Sequence, residues 1–224
     1  MMLEELLQTY SKEGIIHHLH TFLTEERIAR IDQVLACRLN SIEVALEAPY
    51  DIHNGLAVIR TAEALGVSQL HFINAQMKKG QGKNTTKGTL KWTRLTRHET
   101  LEDFLNKKKV LIAGACAEGE VPLEELPLDL PLCFLFGNER EGLSEEAKQQ
   151  ADILFKVPMY GMVESLNLSV AAAITLYDFL KRKRAHLGKE GDFTKQEILE
   201  EKARFYIRSL GIEQSNEILK RSLS

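Results

Sequence analysis

Three short segments of this chain hold polar side chains where a packed fold has little use for them. The first is HNGLAVIRTAEALGV (53–67). Asn54 stands where a helix should begin, a good capping position. Arg60 follows six residues later, between LAVI and TAEAL, about 600° of helical rotation on, so it does not sit on the Asn54 face one turn up. An arginine there either snorkels to solvent or aims its guanidinium into a pocket. The second segment is LFGNEREGLSEEA (135–147). A buried strand ends in Gly137, and Gly142 closes the loop before a helix. Ser144 reads as the cap, and Glu145 and Glu146 suit the positive end of the helix. Glu139, inside the loop, has no such explanation. The third is VPMYGMVESLNLSVAAAITLYDFLKRK (157–183). After a turn around Gly161, Ser165, Asn167 and Ser169 crowd the mouth of a helix that is apolar nearly all round. Such a helix needs one cap.

Other chemistries are poorly supported. GQGKNT has two glycines, no third, and no strand directly before it, and the Walker pattern is absent, so a dinucleotide fingerprint is not indicated. HHLH (17–20) has no cysteine or carboxylate set beside it and reads as a surface cluster, so no metal is expected. The three polar segments share one context, loops at the edge of a sheet. Loops at the C-terminal ends of parallel strands are where α/β proteins bind ligands. Three of them converging point to one site.

The elements that must position these loops follow from periodicity. Apolar runs at 42–47, 69–74, 110–115, 132–136 and 153–157 read as strands, with helical patterns at 55–65, 99–108 and 144–151 between them. This alternation predicts an α/β fold, a mostly parallel sheet with helices on both faces. Strands so continuously apolar fit burial on both sides. A helical extension is expected over 1–40, the α/β domain over 41–187, and a second helical extension over 188–224 with a break at Gly211.

Composition sets bounds. The chain has 224 residues, 44% hydrophobic and 27% charged, ordinary for a globular protein. No apolar run approaches a membrane span, and MMLEELLQTY lacks the basic and apolar regions of a signal peptide, so no membrane association is expected. Cys37, Cys116 and Cys133 are far apart, with no Cys-x-x-Cys, and read as reduced, buried thiols in a cytoplasm. The net charge is −3, yet 78–97 holds seven basic residues and no acidic one, and KRKR spans 181–184. Two basic clusters in an acidic chain read either as solvated surface or as a local polyanion footprint.

Taken together, the three segments resemble the three motifs of the SpoU (SPOUT-class) RNA 2′-O-methyltransferases. Asn54 and Arg60 match the first, GNEREGL the second, and VPMYGMVESLNLSVAAAI the third. The resemblance covers roughly residues 25–187 and lies nearest the branch that methylates tRNA guanosine. It implies a deep C-terminal trefoil knot that forms an S-adenosylmethionine site, which periodicity alone would never propose. It implies catalytic roles for Asn54, Arg60, Glu139, Ser165 and Asn167, with Arg60 as the candidate base. A guanidinium normally stays protonated, so Arg60 is alternatively a stabiliser of the alkoxide or a grip on a phosphate. Gly114, Gly137, Val157 and Leu166 match the cofactor-lining positions. The resemblance also implies a homodimer, and RNA contacts from Arg30, Lys181, Arg182 and Lys183. Relatives often carry Arg-x-Arg where Lys181 and Lys183 stand here. The expected product is 2′-O-methylguanosine at tRNA nucleotide 18, in the D-loop. Ribosomal RNA or another tRNA position is the alternative acceptor, and a non-catalytic RNA-binding homologue the remaining one. Only about 50 residues precede Asn54, too few for the extra RNA-binding domain of ribosomal relatives, which favours tRNA.

Overall fold

The computed structural model describes residues 2–75 and 88–222. Lys78, Lys79, Lys83 and Lys87 of the basic run therefore lie outside the described residues. The elements in chain order begin with α1 (Leu3–Thr9), α2 (Lys12–His20), α3 (Glu25–Ala36), β1 (Leu39–Glu47), α4 (Ile52–Ala64), β2 (Val67–Ile73), β3 (Arg94–His98) and α5 (Leu101–Leu105). They continue with β4 (Leu111–Ala115), β5 (Val121–Pro122), β6 (Leu132–Phe136), α6 (Glu145–Gln150), β7 (Ile153–Lys156), α7 (Leu168–Leu187), α8 (Lys195–Leu210) and α9 (Ile212–Ser222).

The chain divides into two compact units. Residues 1–38 and 190–224 form one. The two helical ends, read from the sequence as separate extensions, thus pack together. Within that unit α2 and α3 lie against α8. Lys202 pairs with Asp32 at 2.6 Å, and Arg204 joins Glu4 on α1 to the buried Glu201. Ser11, Thr24 and Thr194 cap α2, α3 and α8 through their hydroxyls.

Residues 39–189 form the other unit, a seven-stranded sheet in the order β3-β2-β1-β6-β4-β7-β5. Every paired neighbour is parallel. β6 enters between β1 and β4, so the strand order reverses there. Side chains alternate across the sheet. Val44, Leu46, Phe134 and Phe136 face a core closed by α4 and α7. Ala45, Cys133 and Leu135 face a second core with Leu101 and Phe104 of α5, Leu143, and Ala147 of α6. β6 is buried at all five positions, which explains why its sequence shows no polar alternation.

Two strands were not expected. β3 (RLTRH) is an edge strand with mostly polar side chains, and β5 is only two residues long. Neither need be apolar, because an edge strand is covered on fewer sides.

The aromatic stack at the centre ties α7 to the sheet. The Phe134 ring lies 4.9 Å from that of Phe179 and 5.7 Å from that of Phe155, both edge-on. All three are fully buried. Phe134→Ala should therefore lower unfolding stability by about 3–5 kcal/mol, read from urea titration with an unchanged slope.

Candidate active site

The loop after β6 is built on a pinch. Asn138 N–H donates to Gly142 O, and Gly142 N–H donates to Asn138 O, both at 2.8 Å. A Cβ on Gly137 would lie 2.1 Å from the Gly142 carbonyl carbon, and Gly142 itself holds φ +71°, so both ends of the pinch require glycine. The turn presents Glu139, Arg140 and Glu141 outward from the sheet end.

Glu139 is the hub of the site. Its Oε2 accepts the Tyr50 backbone N–H at 2.7 Å. Its Oε1 accepts Asn54 Nδ2 at 3.0 Å and the Asp51 N–H at 3.4 Å. One carboxylate from the second motif thus gathers three donors at the start of α4. Two further contacts join the same segments. Asn138 Nδ2 donates to Ala48 O at 2.8 Å. The buried Glu47, last residue of β1, accepts Ser144 Oγ at 2.6 Å and Ser144 N–H at 2.9 Å. Ser144 is the cap of α6, as its sequence position implied.

Asn54 is not the cap expected of it. The cap is Asp51, whose side chain accepts His53 N–H, and α4 begins at Ile52. Asn54 sits one turn inside the helix, where its amide is free to serve Glu139 on one side and Asn167 on the other. Asn167 Nδ2 lies 3.5 Å from Asn54 Oδ1. Asn167 is itself the cap of α7, its Oδ1 accepting Ser169 N–H at 2.9 Å and Ser169 Oγ at 2.7 Å. Asn54, Glu139 and Asn167 therefore form one connected chain.

Beside it lies a cavity of about 570 Å³, walled by the loops after β4, β6 and β7 and the first turn of α7. Gly137, Glu139, Val157, Ser165 and Leu166 line it, together with apolar Phe136, Leu143 and Phe155. Gly114 does not. It is buried in β4, where a Cβ would press on Leu143 and Leu154 at 2.9 and 3.1 Å, so it makes room for the wall and is not part of it. The β4 loop supplies what the sequence reading missed, Cys116 and Glu118. Cys116 Sγ donates to Glu118 Oε2 at 2.8 Å. Burial, and next that hydrogen bond, push the thiol above its ordinary range.

Arg60 stands apart. It is exposed on α4, and no hydrogen bond or ion pair joins it to another described residue. The structure also redistributes the KRKR run. Lys183 is buried, with Nζ 2.6 Å from Leu128 O and 3.4 Å from Leu130 O, which removes it from the expected RNA contacts. A buried ammonium needs such acceptors. Arg182 is half-buried, bonded to Asp178 and to Leu123 O, and Arg184 donates to Leu65 O. Lys181 is exposed, as is Arg30 in the other unit.

The SpoU rRNA Methylase family matches residues 41–177. The tRNA (guanosine(18)-2′-O)-methyltransferase of Thermus thermophilus is 38% identical over 169 residues, 74% of this chain and 87% of that protein. The crystal structure of the A. aeolicus TrmH/SpoU tRNA modifying enzyme is 29% identical, with a TM-score of 0.73 over 84% of this chain and 98% of that one. An AdoMet-bound rRNA methyltransferase from Sinorhizobium meliloti is 27% identical, with a TM-score of 0.59 over 67% of this chain and 58% of that one.

The raised Cys116 thiol gives a pH test of the cavity. A thiol held up stays protonated at neutral pH, and only the thiolate alkylates. Iodoacetamide labelling of Cys116, read as the difference between the chain and its Cys116→Ser variant, should be slow at pH 7 and still climbing above pH 9.

Proposed function

The chain belongs to the SpoU rRNA Methylase family, and from that premise we propose that it transfers a methyl group from S-adenosylmethionine to the ribose 2′-hydroxyl of guanosine 18 in the tRNA D-loop. The observation that carries the reading is the Glu139–Asn54–Asn167 chain at the rim of the 570 Å³ cavity. The nucleotide number rests on the relative from Thermus thermophilus.

The cavity suits the donor. Its volume lies within the range of roughly 300–1,000 Å³ that small-molecule sites occupy. Apolar Phe136, Leu143, Val157 and Leu166 offer a slot for a flat heterocycle. Gly137, Val157 and Leu166 would hold the cofactor, with Glu118 and Glu139 as the acidic rim. When bound, S-adenosylmethionine supplies a methyl group already activated on a sulfonium, so the reading needs no metal.

The protein's share is alignment and charge. Asn54, Ser165 and Asn167 orient the ribose by hydrogen bonds, and Glu139 holds Asn54 in place. The Arg60 guanidinium stabilises the ribose oxygen while its proton passes to a phosphate oxygen of the substrate RNA. Its place outside its own cluster agrees with action across a homodimer. The face of α7 supports that assembly. Val170, Ile174 and Tyr177 recur at helical spacing and are 46%, 41% and 63% exposed, an apolar stripe that a second copy would cover. The expected trefoil knot is supported by the path of the chain. β7 lies beyond β4, yet α7 returns across the sheet to pack on α4.

RNA contacts fall to Lys181 and Arg30, with Arg182 and Lys183 assigned to the scaffold. No described helix is long and apolar enough to cross a membrane, and a cytoplasmic place follows from the tRNA substrate.

The test uses labelled S-adenosylmethionine with unmodified tRNA, a D-arm hairpin and ribosomal RNA as acceptors. Label should enter whole tRNA at nucleotide 18. Label confined to ribosomal RNA, or at another tRNA position, would overturn the substrate while leaving the enzyme class. Arg60→Ala should lower kcat on tRNA by about 10²–10³ and leave the calorimetric affinity for S-adenosylmethionine unchanged, because Arg60 does not line the cavity. Equal losses in both would make Arg60 structural.

A further inference from the structure

Tyr50 combines exposure with rigidity. The residue is 61% exposed, but its backbone is fixed. Its N–H donates to Glu139 Oε2 at 2.7 Å, and it follows Pro49 and Ala48, the latter held at φ +42° with its carbonyl bonded to Asn138. A guanidinium completes the arrangement. Arg140 Cζ lies 3.6 Å from the centroid of the Tyr50 ring, and Arg140 is set by its own N–H donating to Asn138 Oδ1 at 2.8 Å. A large aromatic left in water gains nothing from burial. One that is held flat between a cation and solvent is a surface ready to stack.

Building on the methyltransferase reading, we propose that Tyr50, backed by Arg140, is the platform on which the guanine base of the methylated nucleotide stacks. Proteins read unpaired RNA bases by laying them on aromatic rings and arginine planes. The nucleotide presented here must be splayed out, because its ribose has to reach Asn54 and Asn167. The carboxylate that holds Asn54 also holds the Tyr50 backbone. A ribose at the asparagines therefore brings its own base to this ring. The cation behind the ring draws electron density from it and gives the site a positive field, which suits the electron-rich, acceptor-bearing face and edge of guanine. The neighbouring loop offers a competing surface, Tyr160, Met162 and Val163, all strongly exposed. It lacks any such anchoring among the described residues, so the ordered ring is the stronger candidate.

The test compares the wild-type chain, Tyr50→Ala and Tyr50→Phe on unmodified tRNA and on the same tRNA carrying an abasic ribose at the methylated position. Affinity comes from filter binding, and kcat and KM from initial rates. On intact tRNA, Tyr50→Ala should weaken binding and raise KM by about tenfold, with kcat and S-adenosylmethionine affinity unchanged. Tyr50→Phe keeps the ring and should stay within about threefold of wild type. On the abasic tRNA, wild type and Tyr50→Ala should bind equally, because the base that the ring held is gone. The same tenfold loss on both RNAs would show that Tyr50 acts on something other than this base. No loss on either would move the base to another surface, such as the Tyr160–Val163 turn. Both results overturn the platform while the enzyme remains active. Absence of methyl transfer to any RNA by the wild-type chain would instead overturn the functional reading beneath it.

Discussion

The site depends on one carboxylate that closes the gap between two neighbouring strand ends. β1 and β6 pair in parallel, with Leu46 opposite Phe136. The next residues along, Glu47 and Gly137, therefore leave the sheet side by side, and the two loops start from one place. Glu139 then turns back onto Tyr50, Asp51 and Asn54. Glu47 reaches the other way to Ser144. Each such bond to a carboxylate is worth about 1.5–3 kcal/mol net. Their sum is small beside the two cores that hold the sheet. Their value is geometric, since they fix the start of α4 against the pinched loop with little play. A displacement of about 1 Å in such a site can cost two orders of magnitude in rate.

The polar crowding at the mouth of α7 has the same logic. Asn167 spends its oxygen on the helix cap and on Ser169. That leaves its Nδ2 for Asn54. Ser165, two residues earlier, lines the cavity, and Leu166 between them turns its bulk to the same wall. A serine in place of Asn167 would cap the helix equally well. The longer carboxamide accepts the cap bond on its oxygen and carries a separate N–H donor out to the next motif. The small residues Ala171 and Ala172 behind it let α7 lie close, Ala171 against the cavity and Ala172 in the core beneath.

What the sequence disclosed follows physical range. The central strands were legible because burial on both faces makes them continuously apolar. β3 was not, because an edge strand with the pattern RLTRH pays little for polar side chains. Glu139 could be flagged as unexplained within its loop, but its partners lie 85 to 89 residues away. Nothing local announces them. Asn54 was misread as a cap for a related reason. Asp51 and Asn54 are both good capping residues, and backbone geometry at Asp51, not composition, decides between them. Glu47 hid as the last residue of a strand. Gly114 matched a family position, yet its role is to admit Leu143 and Leu154.

The KRKR run shows most clearly how context reassigns charge. Its four cations are identical as a pattern, but α7 turns them to different sides. Lys183 points inward onto two carbonyls of the 128–130 segment. Arg184 reaches the C-terminal end of α4 through Leu65 O, where a cation also meets the negative end of the helix dipole. Arg182 is held by Asp178 and by Leu123 O. Of the four, Lys181 alone is exposed. These arginines and Lys183 bind α7 to the loops around it, so much of this charge works on the fold itself. Under the proposed function this run offers RNA one exposed lysine, so contacts must also be made elsewhere, those beside the cavity among them. That places the burden of recognition on the loops whose order Glu139 enforces.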